Sequence, residues 1–187
     1  MHSWHDIAPE RIKPEKFIAM IEISKGSKNK YELDKETGHL ILDRVLFTST
    51  HYPANYGFIP RTYGKDFDPL DVLVLCSESI LPMSLVHCSP IGVMAMTDNG
   101  YEDDKIIAVC DDDPFYKNYK ELEELPSHIK DEIKHFFLVY KSLEGKPTEV
   151  GIFKDRAAAM KIIEAGIKDY QEVIEPTVRE KRTARGY

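Results

Sequence analysis

Asp66-Phe67-Asp68-Pro69-Leu70-Asp71, followed at once by Val72-Leu73-Val74-Leu75-Cys76, is the stretch on which the reading of this chain turns. The second half is an apolar run of strand length bounded by a turn, and it reads as the strongest strand of the chain. Pro69 stiffens the turn before it. The register can point Asp66 and Asp71 at one centre. Three aspartates within six residues repel one another unless cations offset them, and hard oxygen donors of this kind suit Mg²⁺, Mn²⁺ or Ca²⁺. The spacing is not that of an EF-hand, because the sixth position is Asp71 rather than Gly and the twelfth is Ser77 rather than Glu. The other reading is a surface turn whose aspartates only cap backbone amides.

Strand patterns surround this stretch. Phe17 to Ile23 is apolar except for Glu22, Lys30 to Leu33 alternates, and Leu40 to Leu46 follows a turn at Glu36-Thr37-Gly38. Ile91 to Thr97 and Lys105 to Cys110 complete the set. The period then changes. Ile129, Ile133, Phe136, Phe137 and Tyr140 recur at helical spacing after Pro126, which suits a first helical turn. A second helix is expected from about Asp155, a candidate N-cap, with Met160, Ile163, Ile167, Tyr170 and Ile174 as its stripe and Pro176 as its end. Strands first and helices last imply an α+β, mainly β, domain built on a small antiparallel barrel, with two C-terminal helices.

The chain has 187 residues, 42% of them hydrophobic and 30% charged. At roughly 150 residues per domain this predicts a single domain over 1–187, with an N-terminal segment at 1–14 and a basic extension at 176–187. No run approaches the roughly 18 apolar residues of a membrane span, so no membrane partner is expected. Met1 to Pro14 lacks an apolar core and does not read as a signal peptide. The net charge of −7 argues against nucleic acid as a partner, since such binders neutralise phosphates with Lys and Arg. The end from Arg179 to Tyr187 is locally basic and reads as a solvated, frayed terminus. Cys76, Cys88 and Cys110 form no C-x-x-C pair, and reduced thiols in a cytoplasmic protein are expected.

No nucleotide-binding glycine loop, H-E-x-x-H or G-x-S-x-G occurs. The remaining signals are charged. Asp98-Asn99-Gly100-Tyr101-Glu102-Asp103-Asp104-Lys105 is a second acidic loop between strand candidates, with Asp103 and Lys105 on one strand face. Taken alone it reads as a solvated acidic turn. Two such loops at strand ends make convergence on one site more plausible. Lys30 and Glu32 share a face, Arg44 interrupts an apolar strand, and Tyr140-Lys141 ends the helical run. Each cation can simply snorkel to solvent, but cations among acids are also what a metal-bound polyanion requires.

These residues, in order and with matching spacing, resemble family I soluble inorganic pyrophosphatases of the compact bacterial type. The resemblance runs from about Phe17 to about Tyr170. It rests on Lys30-Tyr31-Glu32, Asp43-Arg44, Tyr52-Pro53-Ala54-Asn55-Tyr56-Gly57-Phe58-Ile59-Pro60, the stretch from Asp66 to Val72, Pro90-Ile91-Gly92-Val93, Met96-Thr97-Asp98, Glu102-Asp103-Asp104-Lys105, and His135-Phe136-Phe137 with Tyr140-Lys141. It implies a closed five-stranded barrel like those that bind oligonucleotides, flanked by helices, and Mg²⁺-dependent hydrolysis of pyrophosphate to two phosphates. Several Mg²⁺ ions per site are implied, with Mn²⁺ or other divalent ions as substitutes.

By the same resemblance, Asp66, Asp71 and Asp103 look like ligands of the tightest metal, with Asp71 bridging to a second. Asp98 and Asp103 resemble ligands of a metal that arrives with substrate, and Glu32 a further, partly water-mediated one. Asp68 resembles the general base. Lys30, Arg44, Tyr140 and Lys141 look like phosphate binders, Tyr56 and Lys105 like supporting residues, and Glu22 like an outer-shell acid. With these groups charged, the site carries −3 and would repel pyrophosphate without divalent ions. The family usually has a small or polar residue where Phe67 stands. If that position needs φ > 0, a bulky residue is costly there and the loop around Asp68 would be remodelled. The resemblance also implies a homohexamer. Two other readings compete: a non-catalytic nucleic-acid-binding barrel, against which the acidic balance argues, and a metal-dependent phosphatase of organic phosphates, for which pocket size decides.

Overall fold

The computed structural model describes residues 2–146 and 148–184, and of residue 182 the backbone alone. Ten strands appear in order: β1 (Ile12–Lys13), β2 (Lys16–Ile23), β3 (Asn29–Leu33), β4 (Leu40–Val45), β5 (Asn55–Phe58), β6 (Asp71–Leu75), β7 (Leu85–Asp98), β8 (Tyr101–Glu102), β9 (Lys105–Cys110) and β10 (Thr148–Asp155). Helix α1 (Ser127–Val139) precedes β10, and α2 (Arg156–Asp169) and α3 (Glu175–Ala184) follow it.

Five strands close a ring. β2 pairs with β5, β5 with β6, β6 with β9, β9 with β7, and β7 returns to β2. β6 and β9 run parallel, and the other four pairings are antiparallel. β7 can serve four neighbours because it is long and shifts register between Pro90 and Gly92: Leu85–Cys88 faces β2, its later residues face β9 and β10, and its end at Thr97 and Asp98 pairs with β8. β3 and β4 form a separate hairpin. This agrees with the expected α+β barrel.

The period of two explains why β6 after Asp71 and β9 after Lys105 are apolar. Val72, Val74, Ile106 and Ala108 pack in one buried cluster with Ala159 and Ile163 of α2. Leu73, Leu75, Ile107 and Val109 pack in another with Ile133, Phe136 and Phe137 of α1. Both faces are covered, so no polar alternation survives. β5 approaches β2 closely enough that a Cβ on Gly57 would lie 1.9 Å from the Met20 carbonyl oxygen, which leaves room only for glycine.

Asp155 caps α2 as expected, accepting from the Ala158 N–H at 2.9 Å. Four of the five residues of the expected stripe join the core: Ile163 and Tyr170 are buried, and Ile167 and Ile174 pack against the buried clusters, whereas Met160 is half-buried outside them. Pro176, however, does not end the helix. A π-helical turn spans Tyr170–Ile174, with the Glu175 N–H bonded to the Tyr170 carbonyl, and α3 continues from Glu175. The widened turn falls just before Pro176, where an α-helical ladder would have needed the missing N–H. The basic end is therefore helical to Ala184 rather than frayed, and residues 185–187 lie outside the described part. Cys88 and Cys110 are buried and Cys76 half-buried, all three as free thiols. Among the described residues no helix is long and apolar enough to cross a membrane.

Candidate active site

The parallel pairing sets Val72 beside Ile106, so Asp71 at the start of β6 lies beside Lys105 at the start of β9. Lys105 Nζ donates to Asp71 at 2.5 Å and also reaches Asp103. On the other flank β5 carries Tyr56, whose hydroxyl donates to the Asp71 carboxylate. Asp98 ends β7 and is met by Lys141, which follows α1. Glu22 of β2 accepts from the Leu33 N–H at 2.8 Å. The β3–β4 hairpin sets Lys30 opposite Arg44. Lys30 contacts Glu32 and lies 3.4 Å from Asp43, while Arg44 contacts Asp43 and donates to Glu144 at 2.8 Å.

All these elements open onto one cavity of about 370 Å³. Every residue singled out from the sequence lines it: Glu22, Lys30, Glu32 and Arg44 from the first strands, Tyr56, Asp66, Asp68 and Asp71 from β5 and the acidic turn, and Asp98, Asp103, Lys105, Tyr140 and Lys141 from the far wall. Two further charged residues join them, Lys35 and Asp43. They cancel, so the wall still carries −3 with all groups charged. Asp43 could have been found as the neighbour of Arg44. Lys35 lies in a turn beyond the alternating strand, where no period points to it.

Phe67 has φ 71°, in the left-handed region, so the position does need φ > 0. The loop is nonetheless held: the Asp68 N–H donates to Asp66 Oδ1 at 3.3 Å, and the Gly64 N–H donates to the Asp68 carbonyl at 2.7 Å. Phe67 is 60% exposed, and its ring packs edge-on to Tyr101, with centroids 5.8 Å apart. Asp68 reaches the cavity, where Lys35 pairs with its carboxylate.

The crowding of acids shows in their protonation. Burial, then the charge of Asp71, pushes Glu22 up to about 8. Burial pushes Asp103 up to about 7; Lys105 pulls against that shift and Asp71 adds to it. Asp66 is raised by burial and by Asp71. Burial and Asp71 hold the Tyr56 phenol far above its ordinary range, so it remains a donor. Lys105 is fully charged, because Asp71 and Asp103 outweigh its burial.

The donors suit hard divalent cations. They are all oxygen atoms, they carry surplus negative charge, and Asp98 Oδ1 is buried with no hydrogen-bond partner among the described residues. Those residues hold no preformed group of three or more metal-binding side chains. Instead Asp68, Asp71, Asp98 and Asp103 each pair with a lysine. Arg44 Nη2 is likewise buried with no partner among the described residues, a donor available to an anion.

A family model described as Inorganic pyrophosphatase matches residues 19–171. Soluble inorganic pyrophosphatase 1 of Arabidopsis thaliana is 47% identical over 178 residues, covering 95% of this chain and 84% of its own length. The inorganic pyrophosphatase of Helicobacter pylori superposes with a TM-score of 0.83 at 44% identity, covering 86% of this chain and 96% of its own. That of Thermus thermophilus gives 0.81 at 39% identity, over 89% and 94% of the two chains. With a shared barrel and an acid-and-lysine cavity on it, the chain belongs to family I of the soluble inorganic pyrophosphatases, and its reaction is the hydrolysis of pyrophosphate to two phosphates.

Proposed function

We propose that this hydrolysis is Mg²⁺-dependent and proceeds by direct attack of water on one phosphorus, with Asp68 as general base. Asp66, Asp71 and Asp103 would hold one ion, with Asp71 shared with a second. Asp98 and Asp103 would hold an ion that arrives with pyrophosphate, and Glu32 would assist. Mn²⁺ or another divalent ion would fit the same oxygen donors. When bound, such ions would neutralise the cavity and lower the pKa of a coordinated water towards about 7.

The protein's own groups do the rest. Asp68 takes the proton of the attacking water as its oxygen bonds to phosphorus. The bond from that phosphorus to the bridging oxygen breaks, and the electron pair leaves with the second phosphate. Lys30, Arg44, Tyr140 and Lys141 hold the phosphate oxygens and offset the charge that develops on them. Tyr56 and Lys105 fix the orientation of Asp71 through the hydrogen bonds they donate to it. In the metal-free site Glu22 keeps its own proton near neutral pH, because burial and then the charge of Asp71 raise it to about 8.

The observation that supports this reading most is a pair of buried atoms of cavity-lining residues with no hydrogen-bond partner among the described residues, the acceptor Asp98 Oδ1 and the donor Arg44 Nη2. One suits a cation and the other an anion. The test is phosphate release from pyrophosphate and from a phosphate monoester, each with Mg²⁺ and with chelator. Release from pyrophosphate that needs Mg²⁺ is expected. Equal release in chelator would remove the metal from the reading. The reading extends to a cytoplasmic homohexamer.

A further inference from the structure

The N-terminal segment has no part in the chemistry above, yet it is tightly anchored. Trp4 is 5% exposed, and its indole N–H donates to the Thr62 carbonyl at 2.9 Å. His5 stacks between Trp4, at 4.7 Å, and His2, at 4.4 Å. Arg61 donates from its backbone to the Trp4 carbonyl and from its guanidinium to the His5 carbonyl. The segment then touches the turn after β3. His2 Nε2 lies 2.9 Å from the Lys35 carbonyl, and a Cβ on Gly38 would meet the His2 ring at 3.3 Å. Lys35 Nζ lies 6.0 Å from the centre of the Trp4 ring and pairs with Asp68.

Lys35 differs from the other cations of the cavity. Its side chain is 49% exposed, against 2% for Lys105, 10% for Lys141, 16% for Lys30 and 19% for Arg44. An exposed ion pair contributes little, so Lys35 can leave Asp68 at small cost, whereas Lys105, itself buried, would strand two half-buried carboxylates. We infer that Lys35 is a further pyrophosphate-binding cation, and that Trp4 and His2 position it from the N-terminal segment. In the free site it rests on Asp68 and over Trp4. An incoming phosphate oxygen draws it away, which leaves the Asp68 carboxylate open to accept a proton. That last consequence rests on the reading of Asp68 as the base.

Trp4 is the chain's single tryptophan, so its emission reports on Lys35 directly. The experiment adds inorganic phosphate with Mg²⁺ to the full-length enzyme and follows that emission. A change is expected in the wild type and is expected to be absent in Lys35→Met, whose exposed side chain leaves the fold intact. In steady state, Lys35→Met should raise KM for pyrophosphate about tenfold, the size of one lost charge-assisted hydrogen bond. Its kcat should change less, and Lys35→Arg should restore most of the loss. Trp4→Phe, which keeps an aromatic face, should raise KM less than Lys35→Met. Unchanged KM in Lys35→Met overturns the inference. So does an emission change that persists in that variant, or one that is missing in the wild type at saturating phosphate. Asp68→Asn is assayed alongside. A wild-type kcat there would remove the base but leave the binding role of Lys35 standing. A lost kcat there with a silent Lys35→Met would remove Lys35 alone.

Discussion

Lys105, 2% exposed, brings its ammonium to 2.5 Å from the carboxylate of Asp71. A buried cation of this kind is fixed by what surrounds it, so Asp71 has a defined position before any ligand arrives. Asp71 also receives the Tyr56 hydroxyl, which makes it the most constrained acid of the cavity.

Asp71→Ala should therefore abolish turnover without unfolding the protein. We expect hydrolysis to fall by at least about 10³-fold, a few kcal/mol of transition-state stabilisation. Lys105 keeps Asp103 as its partner in the variant, and one like charge is removed from the cluster. Circular dichroism and pyrophosphate assays on the same preparation check this. Near-normal turnover would take Asp71 out of the site.

Asp68 and Arg44 should fail in different ways. Asp68→Asn keeps the shape but cannot accept a proton, so kcat should drop by about 10²-fold or more. Arg44→Lys keeps the charge but loses the planar fork that now spans Asp43 and Glu144. KM should rise there more than kcat falls. A wild-type kcat for Asp68→Asn would withdraw the base assignment.

Glu22 should impose a pH dependence on stability. In the unfolded chain it titrates near 4.5, but the fold retains its proton to about 8. Between those values the folded state binds more protons, so this group's contribution to stability falls as pH rises through that window and is level above it. Glu22→Gln keeps the acceptor for the Leu33 N–H and cannot ionise. Denaturant titrations in chelator at pH 5 and pH 8 should show the wild type losing up to a few kcal/mol relative to the variant. Parallel losses in both proteins would contradict this.

Phe67 tests strain against packing. Its left-handed φ costs a non-glycine residue about 1–2 kcal/mol, and its contact with Tyr101 returns about 0.5–1.5 kcal/mol. Phe67→Gly should thus leave stability within about 1 kcal/mol of wild type, once the greater freedom of the unfolded glycine is included. Phe67→Val keeps the strain, adds β-branching and loses the ring, so it should be clearly less stable than Phe67→Gly. Urea unfolding of the two variants decides it, and equal midpoints would show that φ at this position is not strained.

Assembly is checked by light scattering at micromolar concentration. A particle about six times 21.5 kDa is expected, and a monomer alone would refute the hexamer.

Strands with a plain apolar run or a plain alternation were the legible ones, whether buried like β9 or half-exposed like β3 and β4. Lys105–Cys110 and Phe17–Ile23 read directly as strands, and Asp155 announced α2. β5 escapes the pattern because Asn55 and Gly57 interrupt it. Asn55 is fully buried, accepting from the Lys25 and Ile80 N–H groups and donating to the Glu78 carbonyl, and no periodicity encodes those partners. β10 escapes because it lies at the margin of the sheet with a register shift between Val150 and Phe153. The start of β7 escapes because Leu85 and His87 are exposed while Val86 and Cys88 are buried, a short alternation hidden before Pro90. Among site residues, clustered acids are visible because their mutual repulsion demands an explanation. Lys35 becomes visible only when the turn after β3 is folded against Trp4.

The one parallel pairing among the described strands, β6 with β9, has a consequence in time. Asp71 and Lys105 are 34 positions apart in the chain, and they become neighbours only when those two strands register. Pairings of such long sequence separation close slowly, whereas α1 and α2 can form from local contacts. During refolding from denaturant, helical ellipticity should return first and pyrophosphate hydrolysis later. The catalytic cavity is thus a late product of folding, and a chain with most of its secondary structure can still be inert.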